Sequence, residues 1–224
     1  MSSAMRSRAA GWLAVASIAM IVILNGAPLF TNASRPPRGI ASPIVAIEVA
    51  RNVDEVDAIL SDAPSPDREA MRIKQYLDFA FIACYAGLYI ALARWFGQRL
   101  AVIAAICGLA AAVFDVVENF AILRILDLPL RAITQGMIDA IRYPSLAKWT
   151  LAFVASALFG VLFWKRQRRR FRFIALLNFA AAALGIFGLY DNSFLVWAGI
   201  PLAAGLLATI AAFLLFRSPS PRAA

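Results

Sequence analysis

The chain has 224 residues, 62% of them hydrophobic and 16% charged, with a net charge of +9. A soluble domain carries roughly 45–50% apolar and ~25% charged residues, so the composition excludes one. There is no histidine, and the two cysteines, Cys84 and Cys107, lie inside apolar blocks. Zinc hydrolases, His-based triads, disulfide scaffolds and CxxC redox sites are thereby excluded, and no cofactor is expected.

Residues 9–34, 79–93, 149–164, 173–190 and 192–216 contain no Asp, Glu, Lys or Arg. A bilayer-crossing helix needs about 20 mainly apolar residues. Six are predicted, over residues 11–30, 76–96, 100–123, 146–164, 173–190 and 194–216. The expected fold class is all-α, a polytopic integral membrane protein of six transmembrane helices with a small extracytoplasmic cap. Its parts are an N-terminal helix (1–30), an extracytoplasmic loop or cap (31–75), a five-helix region (76–217) and a cytoplasmic tail (218–224).

In helix one, Arg6 and Arg8 followed by residues 12–24 also resemble the head of a secretory signal. The apolar run continues to Phe30, and Asn25, Gly26 and Ala27 make a poor cleavage site. An uncleaved anchor is the preferred reading, with cleavage as the alternative. In the polar stretch that follows, Ile44 to Val49 reads as a short strand or, with Ser42 as cap and Pro43 in the first turn, a helix. Asn52 and Glu55 have capping-box spacing ahead of Val56, Ile59 and Leu60, which predicts an amphipathic helix. About 45 residues can hardly hold a separate core, so the stretch should lie across the outer helix ends.

Helix two places Asp78, Ile82, Tyr85 and Tyr89 within ~60° of one another on a helical wheel. Helix three places Asp115, Glu118 and Asn119 in one ~100° sector that Ala104, Gly108 and Ala111 continue. A small-residue face marks close packing, so the two acids should point into the bundle. An acid at that depth costs at least ~2.5–3.5 kcal/mol unless paired, hydrated or protonated. Lys148, at the outer start of helix four, supplies a counter-charge; Arg124 lies nearly opposite Asp115. The loop 131–142, with Ile133, Met137, Ile138 and Ile141 near one face, is expected as an interfacial amphipathic helix.

The basic run Lys165, Arg166, Arg168, Arg169, Arg170 and Arg172 orients the chain, because cytoplasmic loops are enriched in Lys and Arg. It places the run and both termini inside, in a cell membrane, with the acids of the loops outside. The same run is a candidate contact for anionic lipid headgroups, and the net charge then needs no nucleic acid to explain it. Small-residue stripes (Ala83, Gly87, Ala91; Ala204, Ala208, Ala212) read as packing faces within the chain, with a homo-oligomer or a membrane partner protein as the alternative. Trp12, Trp95, Trp149, Trp164 and Trp197 read as interfacial anchors.

Walker A, G-x-S-x-G and H-E-x-x-H motifs are absent, and Tyr190-Asp191 lacks the G-x-G-D partner of intramembrane aspartyl proteases. The expected function is non-enzymatic: an outer-leaflet polar site of Asp78, Tyr85, Tyr89, Asp115, Glu118 and Asn119 that binds a proton, a cation or a small polar solute, in a small transporter or accessory subunit. The alternatives are an intramembrane lipid-modifying enzyme using the paired carboxylates, and a purely structural or assembly protein.

Overall fold

A computed structural model of the chain describes residues 3–31 and 37–215. Arg217, Arg222 and the tail 218–224 lie outside the described residues, as does the side chain of Arg6. The long helices are α1 (Ser3–Asn25), α4 (Pro66–Phe96), α5 (Arg99–Ile125), α6 (Gln135–Trp164), α7 (Arg169–Tyr190) and α8 (Ser193–Ile210, continued by a wider turn, Ala211–Leu215). Two short helices, α2 (Pro43–Glu48) and α3 (Val53–Leu60), lie between α1 and α4, and no strand occurs among the described residues. Six helices are long and apolar enough to cross a membrane, the architecture of a multi-pass membrane protein.

The six long helices form a closed ring in chain order. Each packs against its neighbours in sequence, and α1 returns to both α4 and α8. One end of the ring carries the Lys165–Arg172 run and an aromatic core in which Trp95 is surrounded by Phe96, Phe163, Phe171 and Phe213. At the other end α2 and α3 bury Ile40, Ile47, Val56 and Leu60 against Met71, Ile122, Ile125 and Ile138.

The capping residues explain the short helices. Ser42 accepts the Val45 N–H and Asn52 accepts the Glu55 N–H, while the Glu55 carboxylate reaches back to the N–H of Arg51. Of the two readings of residues 44–49, the helix is the one observed. Such side-chain acceptors satisfy backbone donors that the first helical turn leaves open.

Two helices start about ten residues earlier than expected. α4 begins at Pro66 behind the Ser65 cap, where the apolar pattern predicts Tyr76. Its first turns are charged, yet Asp67, Arg68 and Lys74 are buried because each closes a neighbouring chain end. Arg68 donates to the carbonyls of Ile125, Leu126 and Leu128, which end α5. Lys74 donates to those of Leu24 and Gly26, which end α1 at Asn25 rather than at Phe30. Asp67 accepts the Thr31 hydroxyl at 2.7 Å.

The interfacial helix expected over 131–142 is corrected in the same way. Gln135 to Arg142 are the opening turns of α6, and Ile133, Ile138 and Ile141 are buried in protein. Met137 packs against that core. At ~1.5 Å per residue α4 and α6 are each about 45 Å long, against ~30 Å of hydrocarbon. The excess length of both helices is what α2 and α3 pack against.

Candidate functional site: a lysine held by three carboxylates

Helix α5 buries a continuous stripe, Ala104, Gly108, Ala111, Asp115, Glu118, Asn119 and Ile122, and exposes Val102, Ile106, Val113, Val117 and Phe120 on its other side. The stripe is narrow because its lower half has almost no side chains. A Cβ on Gly108 would come within 2.2 Å of the Tyr89 ring, so α4 and α5 approach to the distance that glycine permits. Tyr89 then lies on Gly108 and stacks on Phe159 of α6, 5.8 Å between centroids.

Above that contact the stripe becomes acidic. The Lys148 ammonium, on α6, lies 3.0 Å from Asp115 Oδ1, 2.8 Å from Glu118 Oε2 and 3.1 Å from Glu48 Oε1. The ammonium donates hydrogen bonds to Asp115 and Glu118, and Glu48 completes the set as an ion pair. The remaining oxygens are also engaged. Tyr85 donates its hydroxyl to Asp115 Oδ2 at 2.8 Å, the Trp149 indole N–H donates to Glu48 Oε2 at 2.8 Å, and Glu118 Oε1 lies 2.9 Å from the same ammonium. Asn119 donates to Asp78 Oδ2 at 2.8 Å, joining a fourth acid to the edge of the group. Glu118 and Asn119 are each 1% exposed, so water does not share this charge.

The structure thus gathers Asp78, Tyr85, Asp115, Glu118, Asn119 and Lys148. It sets Tyr89 below them as a packing ring and adds two residues that sequence reasoning missed. Glu48 sits in an apolar run about 100 residues before its partner, and a lone acid among Ile44, Val45, Ala46, Ile47 and Val49 was the signal available. Trp149, expected as an interfacial anchor, turns its N–H into the cluster. No family profile, curated protein or solved structure matches the chain.

Chemically the group is a buried cluster of three carboxylates paired with one ammonium. No set of three or more Cys, Asp or Glu residues among those described is arranged to hold a metal ion. The ammonium occupies the point where the carboxylates converge, in the position a bound cation would take. Burying ions is costly unless they are paired, and here each of the three carboxylates lies within ion-pair distance of the ammonium, although Glu118 Oε2 accepts no hydrogen bond.

The basic run lies elsewhere. Lys148 and the start of the run are separated by 16 residues of helix, roughly 24 Å. Lys165, Arg166, Arg168, Arg169 and Arg172 are exposed and Arg170 is half-buried. Three arginines use ring faces: Arg166 lies 4.7 Å from Trp95, Arg170 4.9 Å from Phe171 and Arg172 5.5 Å from Trp164. Trp95 is therefore an internal packing residue as well as a helix-end tryptophan.

Proposed function

We propose that the protein is a non-enzymatic multi-pass membrane protein of the cell membrane whose acid–lysine cluster holds protons in the outer leaflet, as a small transporter or an accessory subunit. The observation that carries this reading is a charge count: Glu48, Asp115 and Glu118 lie buried about a single ammonium, Lys148, and Asp78, half-buried, joins their edge through Asn119. Four ionised carboxylates and one cation cannot share a buried site without further positive charge. The ammonium fills the place of a metal ion, so protons supply the balance. Asp78, the least buried of the four acids, is the member through which they exchange.

The orientation follows from the basic run, which belongs inside and faces anionic lipid headgroups there. Both termini are then cytoplasmic, and α2 and α3 form an extracytoplasmic cap. Labelling cysteines introduced at Ser65 and Gln167 with an impermeant reagent tests this: position 65 should react from outside and position 167 should not.

One observation favours a second reading, that the cluster only ties α2 to the long helices: four of the six oxygens of the three carboxylates at Lys148 accept hydrogen bonds, and the other two lie in ion-pair contact with it. Melting temperatures of wild type and Glu118→Gln, across pH and in Na⁺, K⁺ or Ca²⁺, separate the readings. The proton reading expects a wild type that responds to pH and ignores the cation, with Glu118→Gln flattening the response while remaining folded. A wild type indifferent to pH leaves the structural tie, and a cation-specific rise would replace the proton by an ion.

A further inference from the structure

Between the last turns of α6 and the first turns of α7 runs an open groove of about 300 Å³, lined by Val161, Trp164, Lys165, Leu176 and Phe179. Its walls are apolar and half-exposed: Trp164 is 46% and Leu176 54% accessible. Phe179, one of the lining residues, packs on Gly160, where a Cβ would meet its ring at 2.7 Å, so α7 lies close to α6 beside the groove. The exposed Lys165 is among the lining residues, and Arg172 lies over the ring of another, Trp164, at 5.5 Å.

We propose that this groove seats one acyl chain of an anionic phospholipid, with the phosphate held between Lys165 and Arg172. The occupant must combine a hydrocarbon chain with a negative head. A free anion would leave the apolar walls bare, and a zwitterionic lipid would bring the same phosphate with a choline cation that the surrounding basic residues repel. Residues 165–172 contain six basic and no acidic side chains, so charge complementarity selects the anionic head. The groove and the charges are adjacent, which converts a diffuse attraction of the basic loop for anionic membrane into one bound molecule. This rests on the anionic-lipid reading above and adds a stoichiometry and a place to it.

The test uses the full-length protein, delipidated in detergent and titrated with phosphatidylglycerol or with phosphatidylcholine of the same chains, read by native mass spectrometry and by melting temperature. One phosphatidylglycerol should be retained in preference to phosphatidylcholine. Lys165→Gln should weaken it about fivefold, the effect of one basic residue at an anionic surface. Leu176→Trp, which fills the groove at an exposed position, should abolish the single tight site, while Leu207→Trp on α8, also exposed, should keep it. If Leu176→Trp retains the lipid while Lys165→Gln loses it, the groove is wrong and the headgroup contact alone stands. If the wild type does not distinguish the two lipids, both are overturned.

Discussion

The two ends of the ring are both rich in charge and use it in opposite ways. At the Lys148 end acids and bases interpenetrate, and the bases are turned inward onto backbone or carboxylate: Arg68 ends α5, Lys74 ends α1, Arg38 binds the Val49 carbonyl, the Asn192 side chain and Glu55, and Lys148 binds three acids. Burial at the Arg38 guanidinium opposes its charge more than Glu55 restores it. At the other end Lys165 to Arg172 have no carboxylate among them and lie on aromatic faces or in the open. Sign asymmetry between the ends is therefore less a matter of how many bases each holds than of how many remain available to the surroundings. Charge at the first end builds structure; at the second it faces outward.

If that contrast is right, removing a base should cost far more at the first end. Lys148→Met leaves three carboxylates facing one another without a cation, and breaking a buried pair costs about 3–5 kcal/mol. In a chain this size, that amounts to a fall of roughly 10 °C in the detergent melting temperature, or loss of folded protein. Adding Glu118→Gln should recover part of it. A loss no larger than that from a surface arginine would mean that the cluster is not closed as described.

Next in size is the contact on which the cluster stands. Gly108→Leu must displace the Tyr89 ring and with it the Phe159 stack, and overpacking of this kind costs about 1–3 kcal/mol. Val117→Leu, on the exposed side of the same helix, should change stability by less than about 0.5 kcal/mol. Equal melting temperatures for the two variants would reject the Gly108 face as the packed one.

How much of this could be read from the chain divides along the same line. Uninterrupted apolar blocks locate five of the six long helices, and in the sixth, α5, the 3.6-residue period puts Asp115, Glu118 and Asn119 on the small-residue side that turns inward. The starts of α4 and α6 were not legible. Treating charge as the end of a helix discards Arg68 and Lys74, whose partners are backbone carbonyls far along the chain. Glu48 was not legible either, because its role depends on α2 folding down beside α6, a contact that no local pattern encodes. Lys148 could be named because neighbouring antiparallel helices bring it near Asp115; that it would bind three acids at once could not.

A smaller effect is expected at the basic end. Arg166→Gln removes a cation from the faces of Trp95 and Phe96, an exposed contact of roughly 0.5–1 kcal/mol. The melting temperature should fall by a few degrees at most, far short of Lys148→Met. A comparable fall for both would erase the distinction between the ends.

The last test uses pH to separate the ends where the energies are smallest. Asp62, in the turn between α3 and α4, accepts the backbone N–H groups of Leu130 at 2.8 Å and Ala63 at 2.9 Å, so it ties that turn to the one before α6. Those two bonds favour the charged form and hold its carboxyl below the usual 3.8. A carboxyl lowered by folding stabilises the protein above its unfolded value, and that stabilisation fades as pH falls through the folded one. The gap in melting temperature between wild type and Asp62→Asn should accordingly be constant from about pH 5 to 7 and close below about pH 4. The gap between wild type and Arg166→Gln should not move over that range, because an arginine does not titrate there and no acid faces it in the basic run. An Asp62 gap that stays fixed down to pH 3 would show that the tie to Leu130 is not formed in solution, leaving the segment of α2 and α3 fastened by Glu48, Arg38, the Arg51 carbonyl and its apolar side chains.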